Sequence, residues 1–238
     1  MANSNKNNKK KKQPNKQAKA QRQKKSKAWI YWLVAAVAAV IVIVIVVTSG
    51  SSSDGSEEEA MEQPFLGDEN AQVEVIEFGD YKCPYCKAFE QSFFPQIDQE
   101  LIQTGEIKFS FINYPFINVD SDRSAEFAEV VYRELGNDVF WDFHHLMYEK
   151  QTEGTEQKDI YTEDYLVDTL KEVTDGEKAE QVLAAFKDGE GEAAIDYDLS
   201  KARDLDVTGT PALFVNGEAF EGQTIDDLKK MVEEAKAE

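Results

Sequence analysis

Cys83 and Cys86 are the only cysteines in this 238-residue chain, and they stand three positions apart in the stretch "VEVIEFGDYKCPYCKAFE". A pair so spaced can grip a metal, staple a loop or exchange electrons. A structural zinc site needs four ligands, usually a second such pair or two spaced histidines. The only histidines, His144 and His145, are adjacent and lie about 100° apart around a helix. Haem attachment requires histidine directly after the second cysteine, and Lys87 is there instead. A purely structural disulfide would close too small a loop to constrain the unfolded chain much. Redox exchange fits better. A Val/Ile-rich alternating strand, residues 72 to 78, ends just before Cys83, and Pro84 occupies the first turn of a following helix, where proline is favoured. Unpaired backbone N–H groups at that helix end would favour a thiolate at Cys83. Cys86, one turn further in, would be more buried and would act as the resolving thiol.

The elements that must position this pair follow from periodicity. Phe89, Phe93, Ile97, Leu101 and Ile102 recur at helical spacing up to Gly105, with Pro95 expected to kink the run. "EIKFSFINYPF" is a second strand, so strand, helix and strand form a parallel crossover. A helical block follows, beginning at "SDRSAEFAEVVYREL" with Ser/Asp capping candidates and stopping at Gly136. "DVFWDFHHLMYEKQ", "TEDYLVDTLKEV", "GEKAEQVLAAFKDG" and "GEAAIDYDLSKARDL" continue it. Strand character returns at "TPALFVNGEAF", where Asn216-Gly217 marks a tight hairpin, and "TIDDLKKMVEEAKAE" closes the chain as an amphipathic helix. The order is βαβ, a helical block, then ββα.

The N-terminal quarter has a different character. Residues 1–28 hold ten Lys and one Arg without an acid, and read as a basic cytoplasmic tail. Residues 29–47 are 19 consecutive uncharged residues, opened by Trp29, Tyr31 and Trp32, and read as a single transmembrane anchor. No clear small-residue cleavage pattern follows, so an uncleaved signal-anchor is expected rather than a removed signal peptide. The cationic tail keeps the N-terminus inside and puts everything after residue 48 outside the cell membrane. Residues 48–64, Ser/Gly-rich and then acidic, read as a flexible linker, and 65–238 as the folded domain. Beyond the tail, 15 cations face all 46 acids, a charge of −31 that argues against nucleic acid as a partner.

Three separated motifs, "EFGDYKCPYC", "FWDFHHLMYEKQ" and "VTGTPALFVNG", resemble the DsbA-like branch of the thioredoxin superfamily. More narrowly, they resemble membrane-anchored, BdbD-type thiol–disulfide oxidoreductases of Gram-positive bacteria. The resemblance implies an α/β thioredoxin fold carrying an inserted all-helical subdomain at about residues 120–204. It makes Cys83 the attacking nucleophile and Cys86 the resolving cysteine, and puts Thr210-Pro211 in the place of the family's cis-proline loop. Glu77 lies where the superfamily often places a buried acid that relays the proton of the resolving thiol. Strand alternation sets Glu77 on the face of Val73 and Val75, opposite Glu74, which favours burial over the solvated alternative. His144 and His145 read as packing or surface residues. The dipeptide Pro84-Tyr85 is typical of glutaredoxins and implies a less oxidising pair than a histidine-containing one.

The implied activity is an oxidase that donates the Cys83–Cys86 disulfide to reduced extracytoplasmic proteins and is reoxidised by a DsbB-like, quinone-linked membrane partner. A membrane-tethered reductase, as in cytochrome maturation, is the alternative within redox chemistry. A tethered binding or chaperone module is the alternative outside it. The redox-active disulfide needs no cofactor, and no metal ligand is assigned. Acids such as Asp120, Asp122 and Glu126 follow no calcium-loop pattern, which leaves calcium open without ligands.

Overall fold

Alternating apolar residues make Val73–Gly79 a strand, β2, and its burial on both faces makes it the centre of the domain. The computed structural model describes residues 61–237; the basic tail, the anchor and residues 48–60 of the linker lie outside the described residues. Among the described residues no helix is long and apolar enough to cross a membrane.

The sheet has five strands among the described residues, in the order β1 (Phe65–Gly67), β3 (Ile107–Asn113), β2, β4 (Ala212–Val215) and β5 (Glu218–Ala219). β3 (Ile107–Asn113) lies parallel to β2 with Val73 opposite Ile107, the crossover geometry expected from the sequence. β4 (Ala212–Val215) lies antiparallel on the other side, with Glu77 opposite Leu213, and continues into β5 (Glu218–Ala219). The turn between them is Asn216-Gly217, both at positive φ (47° and 86°), the geometry that closes two-residue hairpins. β1 (Phe65–Gly67) pairs antiparallel with the free edge of β3 and was not legible in the sequence.

Between β2 and β3 the chain forms α1 (Pro84–Ser92) and α2 (Phe94–Ile97), then a π-helical turn, Asp98–Ile102. The kink expected at Pro95 is therefore a break: Phe93 ends α1, and the proline sits in the first turn of α2. The helical block is α3 (Val119–Leu135), α4 (Asn137–Lys150), α5 (Glu163–Leu170), α6 (Gly176–Lys187) and α7 (Glu192–Asp204). α3 begins earlier than the sequence suggests. Its cap is Asn118, in a capping box with Ser121, rather than the Ser/Asp candidates inside the helix. α8 (Ile225–Ala235) is capped in the same way by Thr224 and Asp227.

The two sheet faces bury different sets. Val73, Val75, Phe109, Phe111, Leu213 and Val215 point into one core shared with α1, the helical block and α8. Phe78, Ile112 and Phe214 point the other way, under Ala202 of α7 and Val207. Each fully buried large apolar side chain contributes about 1.5–3 kcal/mol, so the aromatic-rich first core dominates stability. The end of the segment read as linker is docked on the domain. Pro64 is buried and its carbonyl accepts Phe111 N–H at 3.1 Å, while Gln63 donates to Asp198 at 3.0 Å.

Candidate active site

β2 ends at Gly79, where an added Cβ would lie 2.4 Å from the Phe111 ring, so only glycine lets the strand leave over that ring. The loop Asp80–Lys82 then delivers Cys83 to the N-cap of α1 in an extended conformation, with Pro84 in the first helical turn. Asp80 shapes the loop: its carboxylate accepts N–H groups of Lys82, Phe116 and Ile117 at 2.8–3.3 Å. Gln151, at the end of α4, locks it from above by donating to the carbonyls of Tyr81 (2.8 Å) and Cys83 (3.1 Å). Its own carbonyl receives Lys87 Nζ at 2.5 Å.

Cys83 and Cys86 are both free thiols here, and their surroundings differ sharply. The Cys83 thiol is lowered to about 6. The chief cause is the hydrogen bond from Cys86, assisted by Thr210 and by the backbone N–H groups of Cys86 and Tyr85, against the opposing effect of burial. Cys86 is wholly buried and its thiol is pushed well up, first by burial, then by its hydrogen bond to Cys83 and the nearby Glu77 carboxylate. Two equal residues therefore carry unequal protons: a thiolate at Cys83 beside a thiol at Cys86.

The structure brings together the other residues named from the sequence. The Thr210–Pro211 bond is cis, and the Thr210 carbonyl lies 3.4 Å from Cys83 Sγ. Pro84 and Tyr85 are exposed at the tip, Tyr85 by 74%. Glu77 is buried beneath them, 1% exposed, on the face that alternation assigned to it. Burial raises its carboxyl well above the ordinary range, reinforced by the charges of Glu90 and Cys83. Glu74, on the opposite face, is bonded to Ser110 and Lys108 near solvent. Beside the cis-proline loop opens a cavity of about 720 Å³ whose walls include Phe89, Phe93, Pro211 and Phe220.

Sequence reasoning missed several residues that hold this site. Lys82 is fully buried and spends its charge on Asp120 (3.0 Å) and the carbonyls of Thr155 and Lys158. Tyr81 and Tyr148 meet each other at a tilt and the His144 ring edge to face behind the cysteines, with centroids 5.0–5.5 Å apart; His144 has the packing role read for it from the sequence. The only signal for Lys82 was its place beside the cysteine, and for Gln151 its place at the end of the aromatic helix motif.

Of the acids given no ligand role in the sequence, Asp120 is bonded to Lys82 and Asp122 is exposed. A different all-oxygen set forms where the docked N-terminal segment meets the helical block. Glu129 and Asp198 are buried together, with Gln63 donating to Asp198 and Asn113 donating to both acids. Gln63 Oε1 and Asn113 Oδ1 are buried there without a partner. Burial and mutual repulsion push Glu129 well up, and burial raises Asp198 to about 7. Two carboxylates with two unpartnered amide oxygens fit the donor chemistry of a hard divalent cation such as calcium.

The comparisons with known proteins agree with this site. The Thioredoxin family pattern matches residues 59–234. Disulfide bond formation protein D of Bacillus subtilis is 36% identical over 173 residues, covering 72% of this chain and 76% of that one. The probable disulfide bond formation protein D of Bacillus cereus is 34% identical, with coverage of 72% and 77%. Among solved structures, oxidised BdbD from Bacillus subtilis superposes with a TM-score of 0.67 at 33% identity, covering 74% of this chain and 94% of that one. The thiol–disulfide exchange protein α-DsbA2 from Wolbachia pipientis gives a TM-score of 0.60 at 30% identity, covering 72% and 86%. A dithiol at a helix N-cap, a cis-proline loop against its sulfur and these relatives lead to one assignment: the chain is a protein thiol–disulfide oxidoreductase of the thioredoxin superfamily and belongs to the family of the Bacillus disulfide bond formation proteins D.

Proposed function

We propose that the domain works outside the cytoplasmic membrane as the disulfide donor to secreted or surface proteins, tethered by the span at residues 29–47. The observation that carries the direction is the split between the thiols, with Cys83 lowered to about 6 while Cys86 is raised. A stabilised thiolate makes the reduced pair the better-held state, so the disulfide is readily given away.

A substrate thiolate attacks Cys83 Sγ of the disulfide, and the bond to Cys86 breaks. The electron pair leaves on Cys86, whose buried sulfur requires a proton. Glu77, buried below and held protonated by its surroundings, supplies that proton and is the relay. A second substrate thiolate then attacks the substrate sulfur of the mixed disulfide and releases Cys83 as thiolate. The substrate loses two electrons and the enzyme pair gains them. The Thr210 carbonyl beside Cys83 and the cavity next to it, with both polar and aromatic walls, suit an extended substrate segment. Reoxidation falls to a DsbB-like, quinone-linked membrane protein, which the anchor keeps in the same plane.

The reduction potential of the purified pair, with its redox state in cells, tests the direction. A mostly oxidised pair with a potential well above thioredoxin's about −270 mV is expected. A potential near thioredoxin's, with the pair mostly reduced, would establish a reductase instead. Cys83→Ala should abolish thiol oxidation, and retained activity would rule out dithiol chemistry altogether. Glu77→Gln should slow turnover roughly 10²-fold while leaving the midpoint of Cys83 near 6. An unchanged rate would leave Glu77 a packing residue.

A further inference from the structure

One cluster beside the redox centre enters this chemistry only through the Glu90 charge, which helps raise the Glu77 carboxyl. Glu90 lies on α1, one turn beyond Cys86, and faces His144 and His145 on α4. One oxygen of Glu90 is 2.5 Å from His145 Nδ1, and the other is 3.9 Å from His144 Nε2. That second oxygen and His144 Nε2 are both buried without a hydrogen-bond partner. Such orphaned polar atoms are costly inside a protein and call for an explanation. Side by side, a carboxylate oxygen and a ring nitrogen are two donors aimed at one point. His145 Nδ1 supplies a third, and the three ligand atoms lie within 4.8 Å of one another.

We propose that Glu90, His144 and His145 bind a divalent transition metal of the zinc class. Two imidazole nitrogens and one carboxylate oxygen are the donor set of three-ligand zinc sites, in which the fourth position stays open to solvent. Their surroundings favour ligation. His144 Nδ1 meets the Tyr81 hydroxyl at 3.1 Å, and when that nitrogen carries the proton, Nε2 presents its lone pair to the metal. Burial keeps His144 neutral, the form a ligand needs. His145 is 39% exposed, which gives the ion a way in. The adjacent histidines leave their helix in different directions, yet Glu90 from α1 reaches both. Closing the ligands around an ion at about 2.0–2.2 Å draws the three side chains inward by rotation. The ion then clips the active-site helix to the helical block.

The test uses the full-length chain in detergent with Cys83 and Cys86 oxidised, so that no thiol can bind metal, and with excess magnesium to occupy surface carboxylates. Titration with ZnCl2 should show one saturable site per chain, and CoCl2 should give a visible spectrum of nitrogen and oxygen ligation. His145→Ala, at the exposed ligand, and Glu90→Gln, which keeps shape and loses charge, should each weaken zinc binding at least tenfold. Both keep the buried His144 in place, so folding is not at stake. The absence of a saturable site in the wild type, or binding of equal strength in the double variant, would overturn the proposal.

Discussion

Two buried charge clusters fix the helical block to the sheet, and they sit on the same helix with opposite construction. At the first turn of α3, Asp120 meets Lys82: the ammonium donates to Asp120, Thr155 and Lys158, and Asp120 Oδ2 also accepts N–H groups of Ile160 and Tyr161, while Oδ1 is buried without a hydrogen-bond partner. The Lys82 ammonium lies 4.5 Å from the Tyr161 ring centre as well. Further along α3, Glu129 meets another acid, Asp198, carboxyl to carboxyl, and the groups that donate to the pair are amides. Opposite charges buried together compensate each other. Like charges buried together hold on to a proton. The first cluster is a staple of compensated charge, whereas the second changes state near neutrality.

The largest effect comes from breaking the staple. Lys82→Met leaves Asp120 charged and buried with no counter-ion, which costs about 3–5 kcal/mol. Urea denaturation should show a loss of that size. A loss below about 1 kcal/mol would mean that the backbone N–H groups alone hold Asp120, and that the pair is not a staple.

The acid pair should respond in the other direction. Asp198 holds its proton to about pH 7 in the folded chain, against an ordinary value of about 3.9 unfolded. Its contribution to stability is complete below the unfolded value and is lost as pH rises from there through about 7. Asp198→Asn keeps the acceptor for Asn113 N–H and removes the titration. In EDTA, so that no cation offsets the charges, this variant should gain on the wild type by on the order of 2 kcal/mol between pH 5 and pH 8. An equal difference at both pH values would show that the two acids do not burden each other.

How far the sequence revealed these regions depends on the range over which each is built. Cys83, Pro84 and Glu77 were legible because a strand, a turn and a helix N-terminus are local, and alternation along β2 assigns a face to every residue. The Asn216-Gly217 hairpin was legible for the same reason. Neither charge cluster was. Lys82 and Asp120 are 38 positions apart, and Gln63 and Asp198 are 135 apart. Periodicity carries no information about such partners, so Lys82 drew no reading and Gln63 read as part of a tether. β1 escaped for a related reason. Three residues hold no pattern, and the strand exists because β3 offered an unpaired edge. Gly136 was read as a helix stop, and its φ of 82° fits that; it also opens α4.

The smallest effect tests whether the staple stays electrically silent at the cysteines, although Lys82 is next to Cys83 in the chain. The thiolate at Cys83 is held by the Cys86 thiol, Thr210 and the N–H groups of Cys86 and Tyr85, and none of these belongs to the Lys82 cluster. A lysine whose charge is spent on Asp120 presents almost no net field to its neighbour. The double variant Lys82→Met with Asp120→Asn removes both charges and keeps an acceptor for Ile160 and Tyr161. The pH titration of thiolate absorbance in the reduced protein should therefore keep its midpoint near 6. The thiolate's stabilisation of the reduced state would still be lost as pH falls from the ordinary thiol value through about 6. A midpoint displaced upward by a unit or more would show that Lys82 tunes the nucleophile. The staple would then belong to the redox machinery, and the contrast between the two clusters would be one of function as well as charge.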